Sequence, residues 1–409
     1  MSGTNNTIYK TSFAAGTVLF REGEYGESAF LIKKGRVVVT LLRDDETVRL
    51  GSLGVGELVG EMALVDEGLR SATVTAVSDL EVMVLTKPLV ESFLEDSNPA
   101  LRLFLRVILD RFRRLQQSFT PASGQSPHNI KASKQIKGVR KQALEELDLV
   151  SELYEALEKK EFQLVYQPII SLGDGSAAGF EALIRWNHPI RGVVSPLEFI
   201  SISERSGQIV PIGHWILLEA FLAHKRFQEV FTATKIKSRQ LLFTSINLSA
   251  RQLEDENLLE LITALVEEVG VDPAEIKLEI TESFLMSDPE AAREVLHKLK
   301  VLGFSIAIDD FGTGFSSLSS LHSFPIHTIK IDQAFVKDMS QNPVVKKVIK
   351  AIVGLARELD MDTVAEGIEE EKDLSILRDM GSSYGQGFFI SKPLPFDGAI
   401  EFLEQHKGW

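Results

Sequence analysis

FSIAIDDFGTGFSS, residues 304–317, opens with strand-type alternation, runs into two adjacent carboxylates, Asp309 and Asp310, and continues into a loop carrying Gly312 and Gly314. Neighbouring carboxylates repel each other unless something positive stands between them. A DD pair by itself is most simply a solvated turn. A cation site is the alternative, and the surrounding chain decides between the two.

On both sides of this stretch the chain alternates strand and helix. Strand patterns fall at 163–170, 178–186, 242–248, 276–280, 304–308, 328–331, 363–365 and 387–390. Helical patterns separate them at 209–231, 252–269, 289–302, 344–359 and 371–380, after an opening helix at 142–159. Repeated β-then-α units over this length imply a TIM-like (β/α)8 barrel, with a doubly wound open sheet as the alternative. Polar residues lie at or near the C-terminal ends of six of these strands: Glu181, Asn247, Glu279, Asp309 with Asp310, Lys330 with Asp332, and Glu366. In a barrel those ends converge on one face, where such folds build their sites. Lys330 and Asp332 stand two apart and share a side. An isolated acid ending a strand is usually a turn or a helix cap, but six strands ending this way are hard to obtain from capping alone. Carboxylates with an amide oxygen suit magnesium or manganese rather than zinc.

The N-terminal part has a different texture. Short Val-, Leu- and Thr-rich strands at 17–20, 28–33, 36–42, 47–53, 72–76 and 80–86 are separated by turns containing Gly, Asp or Glu, which predicts a small β-barrel or jelly roll. An amphipathic helix over 100–117 follows, with Leu101, Phe104, Leu105, Ile108, Phe112 and Leu115 on one row and Arg102, Arg106, Arg113 and Arg114 largely off it. The segment SFTPASGQS at 118–126 has the composition of a flexible connection. The expected division is therefore a domain at 1–118, a linker at 119–142 and a domain at 143–409.

Composition limits the function. The chain has 409 residues, 44% hydrophobic and 25% charged, more than one ordinary core holds. It has 0 Cys, hence no disulfide, thiolate metal site or cysteine nucleophile. With no apolar run of membrane-spanning length and no signal segment in MSGTNNTIYK, the expectation is a cytoplasmic protein without a membrane partner. The net charge of −14 is uneven: residues 143–409 carry 25 basic against 42 acidic side chains, whereas residues 121–142 carry 5 basic and none acidic. So acidic a C-terminal part repels nucleic acid, and no helix-turn-helix pattern follows Leu115, so DNA is not an expected partner.

Two resemblances sharpen the reading. GELVGEMALVDEGLRSATV, residues 56–74, resembles the phosphate-binding cassette of the cyclic-nucleotide-binding domain of catabolite activator-type regulators, over about residues 10–117. That likeness implies that Glu61 holds the ribose 2′-hydroxyl and that Arg70 and Ser71 hold the cyclic phosphate, with Gly60, Met62 and Ala72 completing the cassette. Arg70-Ser71-Ala72 is similar to the bacterial cyclic-AMP cassette, so cyclic AMP is expected ahead of cyclic GMP. In that family the helix after the barrel moves on ligand binding and commonly forms a dimer seam, which makes a homodimer the expected assembly.

The second resemblance is carried by EALIRW from Glu181, NLS from Asn247, EITES from Glu279, DDFGTG from Asp309, KID from Lys330, AEGIE from Ala365 and QGFFISKPL from Gln386. Seven motifs in this order resemble the EAL family of cyclic di-GMP phosphodiesterases over about residues 145–409. By resemblance, Glu181, Asn247, Glu279, Asp309, Asp310 and Glu366 bind two divalent cations directly or closely, and Asp332 ligates one or holds a bound water. Gln167, Leu183, Arg185, Pro196 and Glu369 match positions that contact the dinucleotide. Gln386 supports that site, and Glu282 anchors the loop after Asp309. The implied reaction opens cyclic di-GMP to linear pGpG by a two-metal mechanism, with Lys330, Glu366, Glu181 and Asp309 as its catalytic residues. Phe315, Gln333-Ala334 and Phe388-Phe389 depart from the common residues of the family without removing an acid or the lysine. A catalytically silent cyclic di-GMP receptor, switched by cyclic AMP, is the alternative; silent members typically lack part of the acidic set, which is intact here.

Overall fold

The computed structural model describes residues 8–43, 46–61, 64, 69–90, 147–233, 242–312 and 323–406. The chain divides into two compact units, Met1–Lys159 with Leu197–Gln208, and Lys160–Pro196 with Ile209–Trp409. The boundaries expected at 118 and 142 and the helix expected over 100–117 lie outside the described residues.

The first unit contains β1 (Ile8–Phe13), β2 (Val18–Phe20), β3 (Ser28–Lys34), β4 (Arg36–Arg43), β5 (Glu46–Gly54), β6 (Leu58–Val59), β7 (Thr73–Ala76) and β8 (Leu80–Thr86). They form two four-stranded sheets, ordered β1-β8-β3-β6 and β2-β7-β4-β5, antiparallel throughout. Inward residues of both sheets, among them Phe20, Phe30, Ile32, Val37, Val74 and Val82, share one core. This is the jelly-roll arrangement expected of alternating short strands. Gly35 makes the tight turn between β3 and β4 at φ +90, where a Cβ would stand 2.3 Å from the Asp79 carbonyl oxygen. β1 and β6 were not expected; β6 is only two residues long and pairs through Phe30 with Val59 and Leu31 with Leu58.

The second unit holds β9 (Phe162–Ser171), β10 (Ala177–His188), β11 (Gly192–Val194), β12 (Phe243–Asn247), β13 (Ile276–Thr281), β14 (Ser305–Phe311), β15 (Thr328–Ile331), β16 (Asp362–Ala365) and β17 (Tyr384–Gly385). From β10 through β12 to β17 neighbouring strands are parallel. β9 closes the ring, antiparallel to both β17 and β10. The result is a closed eight-stranded barrel, with β11 a short hairpin arm on β10. β9 reverses because only residues 172–176 join it to β10, too few for the crossover a parallel pair needs.

The interior strands read as near-continuous apolar runs because both of their faces are covered. Outside them, the helix Leu258–Val269 buries Leu258, Ile262, Leu265 and Val269, and the helix Pro343–Glu358 buries Ile349, Ile352, Val353 and Ala356. Asp288 and Asn342 cap the helices that begin at Pro289 and Pro343, each accepting backbone N–H bonds. Two expectations need correction. The strand expected at 387–390 is instead a turn, closed by Ile390 N and Ser391 N donating to the Gly387 carbonyl, and the true strand is Tyr384–Gly385. The single helix expected over 252–269 is two, Ala250–Leu253 and Leu258–Val269, broken where Asp255 Oδ1 accepts from Asn257 N at 3.1 Å.

Candidate active site

Strand register brings the polar residues together. Asn247 pairs with Glu279, and Thr281 with Asp309, across β12, β13 and β14, while Lys330 sits on β15 and Glu366 follows β16. At the centre is Lys330, only 1% exposed. Its Nζ lies 2.6 Å from Glu279 Oε2, 2.7 Å from Glu366 Oε1, 3.1 Å from Asp309 Oδ1 and 3.5 Å from Glu181 Oε1. Glu181 in turn accepts from Asn247 Nδ2 at 2.9 Å and Gln386 Nε2 at 2.7 Å, and Gln386 Nε2 reaches Glu366 Oε1 at 3.4 Å.

One ammonium among four carboxylates leaves an excess of negative charge, and the titration of the acids reflects it. Burial and the nearby charges of Asp309 and Glu181 push the Glu366 carboxyl up to about 8, against the pull of Lys330. Glu279 is also raised well above the usual range, by burial first and then by Glu181 and Asp309, although Lys330 opposes this. Glu181 goes the other way: burial would raise it, but Lys330 and the donors Gln386 and Asn247 bring it below its ordinary value. Lys330 holds its proton well above the usual lysine range; burial disfavours the charge, and the surrounding carboxylates outweigh that.

Asp309, Asp310 and Glu366 form an outer group whose ligand atoms all lie within 4.8 Å of one another. Asp310 has φ +55, a left-handed conformation that turns it away from the line of β14. Burial, then Asp309 and Asp332, push its carboxyl up to about 6. Asp332 also caps the helix Gln333–Asp338, accepting from Ala334 N at 2.8 Å, so here a helix cap and a place at the site coincide. The donor set fits hard divalent cations: carboxylate oxygens dominate, three converge at chelating distance, and raised proton affinities mark sites that stabilise added positive charge.

The remaining expected residues lie around this centre. Glu282 is buried, and its Oε2 accepts from Gly312 N at 3.0 Å, three residues beyond Asp309. Glu181, Leu183 and Arg185 alternate on one face of β10. Gln167 is buried opposite Glu181, its Nε2 donating to the Ser391 carbonyl at 3.4 Å. Pro196 starts the helix Pro196–Ser206. Glu369 is exposed and pairs with Lys337 Nζ at 3.0 Å, outside the central cluster. The sequence reading passed over Lys277, two residues before Glu279. It is buried deeper in the barrel, 4.0 Å over the Phe243 ring and 4.9 Å over that of Tyr384. Its Nζ donates to Thr328 Oγ1 at 3.1 Å, and burial lowers its pKa to about 8. The alternation Lys277, Glu279, Thr281 along one strand face was the available signal.

In the first unit Arg70 is 6% exposed and lies 4.1 Å over the Phe20 ring. Its Nη1 donates to the carbonyls of Ser28 at 2.7 Å and Gly60 at 3.1 Å, while Nε has no partner among the described residues. Burial lowers its pKa, and the charges of Glu24 and Glu61 oppose that. Ala72 is buried beside it, Ser71 is exposed, and Met62 lies outside the described residues. A buried guanidinium with an unspent donor is a fitting anion contact.

Comparisons with known proteins agree with both units. A family model described as EAL domain matches residues 150–393, and one described as cyclic nucleotide-binding domain matches residues 10–97. Among curated relatives, the cyclic di-GMP phosphodiesterase PdeR of Escherichia coli is 37% identical over 66% of this chain and 39% of its own length. The cyclic di-GMP phosphodiesterase PA2567 of Pseudomonas aeruginosa is 38% identical over 60% of this chain and 41% of its own. The chain thus spans about two fifths of the length of these relatives. A solved structure of the EAL enzyme Bd1971, in its cAMP and cyclic-di-GMP bound form, is 35% identical over 97% of this chain and 100% of that one, with a TM-score of 0.64.

Proposed function

Because the chain belongs to the EAL domain family, we propose that it hydrolyses cyclic di-GMP to linear pGpG under the control of a cyclic nucleotide bound to its first unit. The observation that carries this reading is the buried Lys330 ammonium within 3.5 Å of four carboxylates, beside the Asp309, Asp310 and Glu366 group. We assign two Mg2+ or Mn2+ ions to Glu181, Asn247, Glu279, Asp309, Asp310 and Glu366, with Asp332 at the edge of the set. Bound there, such ions activate water and stabilise the leaving oxygen of a phosphodiester. Lys330 supplies a fixed positive charge that remains protonated throughout the neutral range and faces the charge developing on the phosphoryl group. Glu279, Glu366 and Asp309 hold that ammonium in place, and Gln386 keeps Glu181 and Glu366 in register. Glu282 fixes the backbone at Gly312 and so the exit of the chain from Asp309 and Asp310. Gln167, Leu183, Arg185, Pro196 and Glu369 are the proposed dinucleotide contacts.

For the first unit we propose cyclic AMP, ahead of cyclic GMP, held by Arg70 with Gly60, Glu61, Met62, Ser71 and Ala72. The cAMP-bound form of Bd1971, 35% identical to this chain, supports the ligand class. The same protein is also solved in a cGMP-bound form, 35% identical to this chain, so cyclic GMP stays the second candidate.

The reading is tested by Asp309→Asn and Glu181→Ala. Each should abolish pGpG formation, followed by chromatography, without unfolding the barrel; Asp309→Asn, which keeps the side-chain shape and removes a charge that raises Glu279, Glu366 and Asp310, should leave the melting temperature level or higher. Retained turnover in both variants would refute it.

A further inference from the structure

Among the described residues two lysines are buried, Lys277 at 7% exposure and Lys330 at 1%, and the proposed chemistry uses only Lys330. Lys277 stands on β13, whose ladder neighbours are β12 and β14. Its Nζ nevertheless donates to Thr328 Oγ1 on β15 at 3.1 Å and lies 4.9 Å over the Tyr384 ring on β17, so the side chain crosses the barrel interior. The Phe243 ring on β12 lies 4.0 Å from the same atom. Phe243 and Tyr384 meet edge to face, centroids 5.4 Å apart at 73°, and belong with Ile169, Ala178 and Val364 to one buried apolar cluster. The carboxylates of Asp362 and Glu279 attract the ammonium. A lysine is costly to desolvate in such a place, and an apolar side chain of the same length would fill the space without that cost. Its charge therefore serves something other than packing.

The partners of Lys277 stand directly beneath the site. Residues two apart on a strand share a face. Lys277 lies two before Glu279, Thr328 two before Lys330, Tyr384 two before Gln386, and Phe243 four before Asn247. β12 to β17 run parallel, so the earlier residue of each pair lies deeper. Side chains inside such barrels stack in layers, and the layer that Lys277 ties together is the one on which the site rests. Two rungs then join β13 and β15 across the intervening β14. Lys277 on β13 donates to Thr328 on β15, and one step higher Lys330 on β15 donates to Glu279 on β13 at 2.6 Å. We propose that Lys277 is a positioning residue of the hydrolytic site: its bond to Thr328, with the Phe243 and Tyr384 rings holding the ammonium, fixes the spacing of β13 and β15 and so the setting of Glu279 against Lys330. This rests on the substrate and cation reading above and adds a residue to it.

The test uses the full chain, comparing wild type with Lys277→Met, Thr328→Val and the double variant, each first melted to establish that it folds. Mn2+ is titrated calorimetrically into the metal-stripped proteins, and kcat and KM are then measured with Mn2+ present. Lys277→Met removes a positive charge beneath the acids, which by charge alone tightens cation binding, whereas a displaced Glu279 weakens it. The expected result is Mn2+ affinity and kcat each lower by about 10- to 100-fold, the loss typical of partners behind metal ligands, with KM for cyclic di-GMP within about threefold of wild type. Thr328→Val should move both in the same direction by less, and the double variant should lose no more than Lys277→Met, because both changes break one bond. Should Lys277→Met not fold, Thr328→Val, which exchanges a hydroxyl for a methyl, decides by the same titration. Unchanged or tighter Mn2+ binding in Lys277→Met, or losses that multiply in the double variant, would overturn the proposal. If the wild type forms no pGpG, the substrate reading fails on its own, and the titration still decides the positioning: weaker Mn2+ binding by Lys277→Met upholds it, and unchanged or tighter binding overturns it.

Discussion

At the scale of single residues, the site is governed by the competition between Lys330 and the acids around it. Glu366, raised to about 8 from an ordinary 4.5, keeps its proton in the folded protein over a range where the unfolded chain has lost it. The folded state then binds more protons than the unfolded one, so stability falls as pH rises from about 4.5 to about 8. Asp310, raised to about 6, adds to the lower part of that window. Glu181, whose carboxyl is lowered, acts below its ordinary value of 4.5, and Lys330 acts above 10.5, so neither reverses the slope between them. Burial lowers His224 and His327 and so opposes this slope below their ordinary 6.5; above that, the metal-free protein should melt at progressively lower temperature up to about pH 8, and saturating Mg2+ or Mn2+ should flatten the profile. Calorimetric melting across that range checks this; a metal-free melting temperature that climbs toward pH 8 would contradict it.

At the scale of elements, the strand ends place the acids, and a single side chain ties down the loop that follows them. Removing the carboxylate in Glu282→Ala leaves Gly312 N without its acceptor. A hydrogen bond to a charged group contributes about 1.5–3 kcal/mol, so a modest fall in stability is expected. The fall in kcat should be larger in proportion, on the order of 10- to 100-fold, the loss typical when an outer partner of a metal ligand is removed. Parallel kinetics and melting measure both, and a kcat equal to wild type would remove Glu282 from the account. The sequence revealed this level well where chemistry and periodicity coincide. Asp309, Lys330 and Glu366 each end or follow a short apolar run, and those runs are barrel strands. It misled where an apolar run is not a strand: FFI at 388–390 looks like one, yet the chain turns there, and two residues, Tyr384 and Gly385, carry the pairing. The antiparallel course of β9 was not foreseen, because pairing direction depends on connection length and closure rather than on side-chain pattern. Lys277 was missed because a lysine inside a barrel looks like a surface residue until its aromatic neighbours are in place.

At the scale of the whole molecule, the account joins a jelly roll that holds Arg70 to a barrel that holds Lys330. Coupling between two such sites is typically about 1–3 kcal/mol, so saturating cyclic AMP should alter the rate or affinity for cyclic di-GMP by about 5- to 150-fold at most. Activation is the expected direction, and Arg70→Ala should remove the response. The most direct measurement of the central claim is the initial rate of pGpG formation by the metal-stripped full chain, before and after adding Mg2+ or Mn2+, with and without cyclic AMP, for wild type and Arg70→Ala. The account predicts no turnover without cation, recovery on its addition, and a further change with cyclic AMP in the wild type alone. A metal-stripped protein that opens cyclic di-GMP as fast as the cation-loaded one would contradict it.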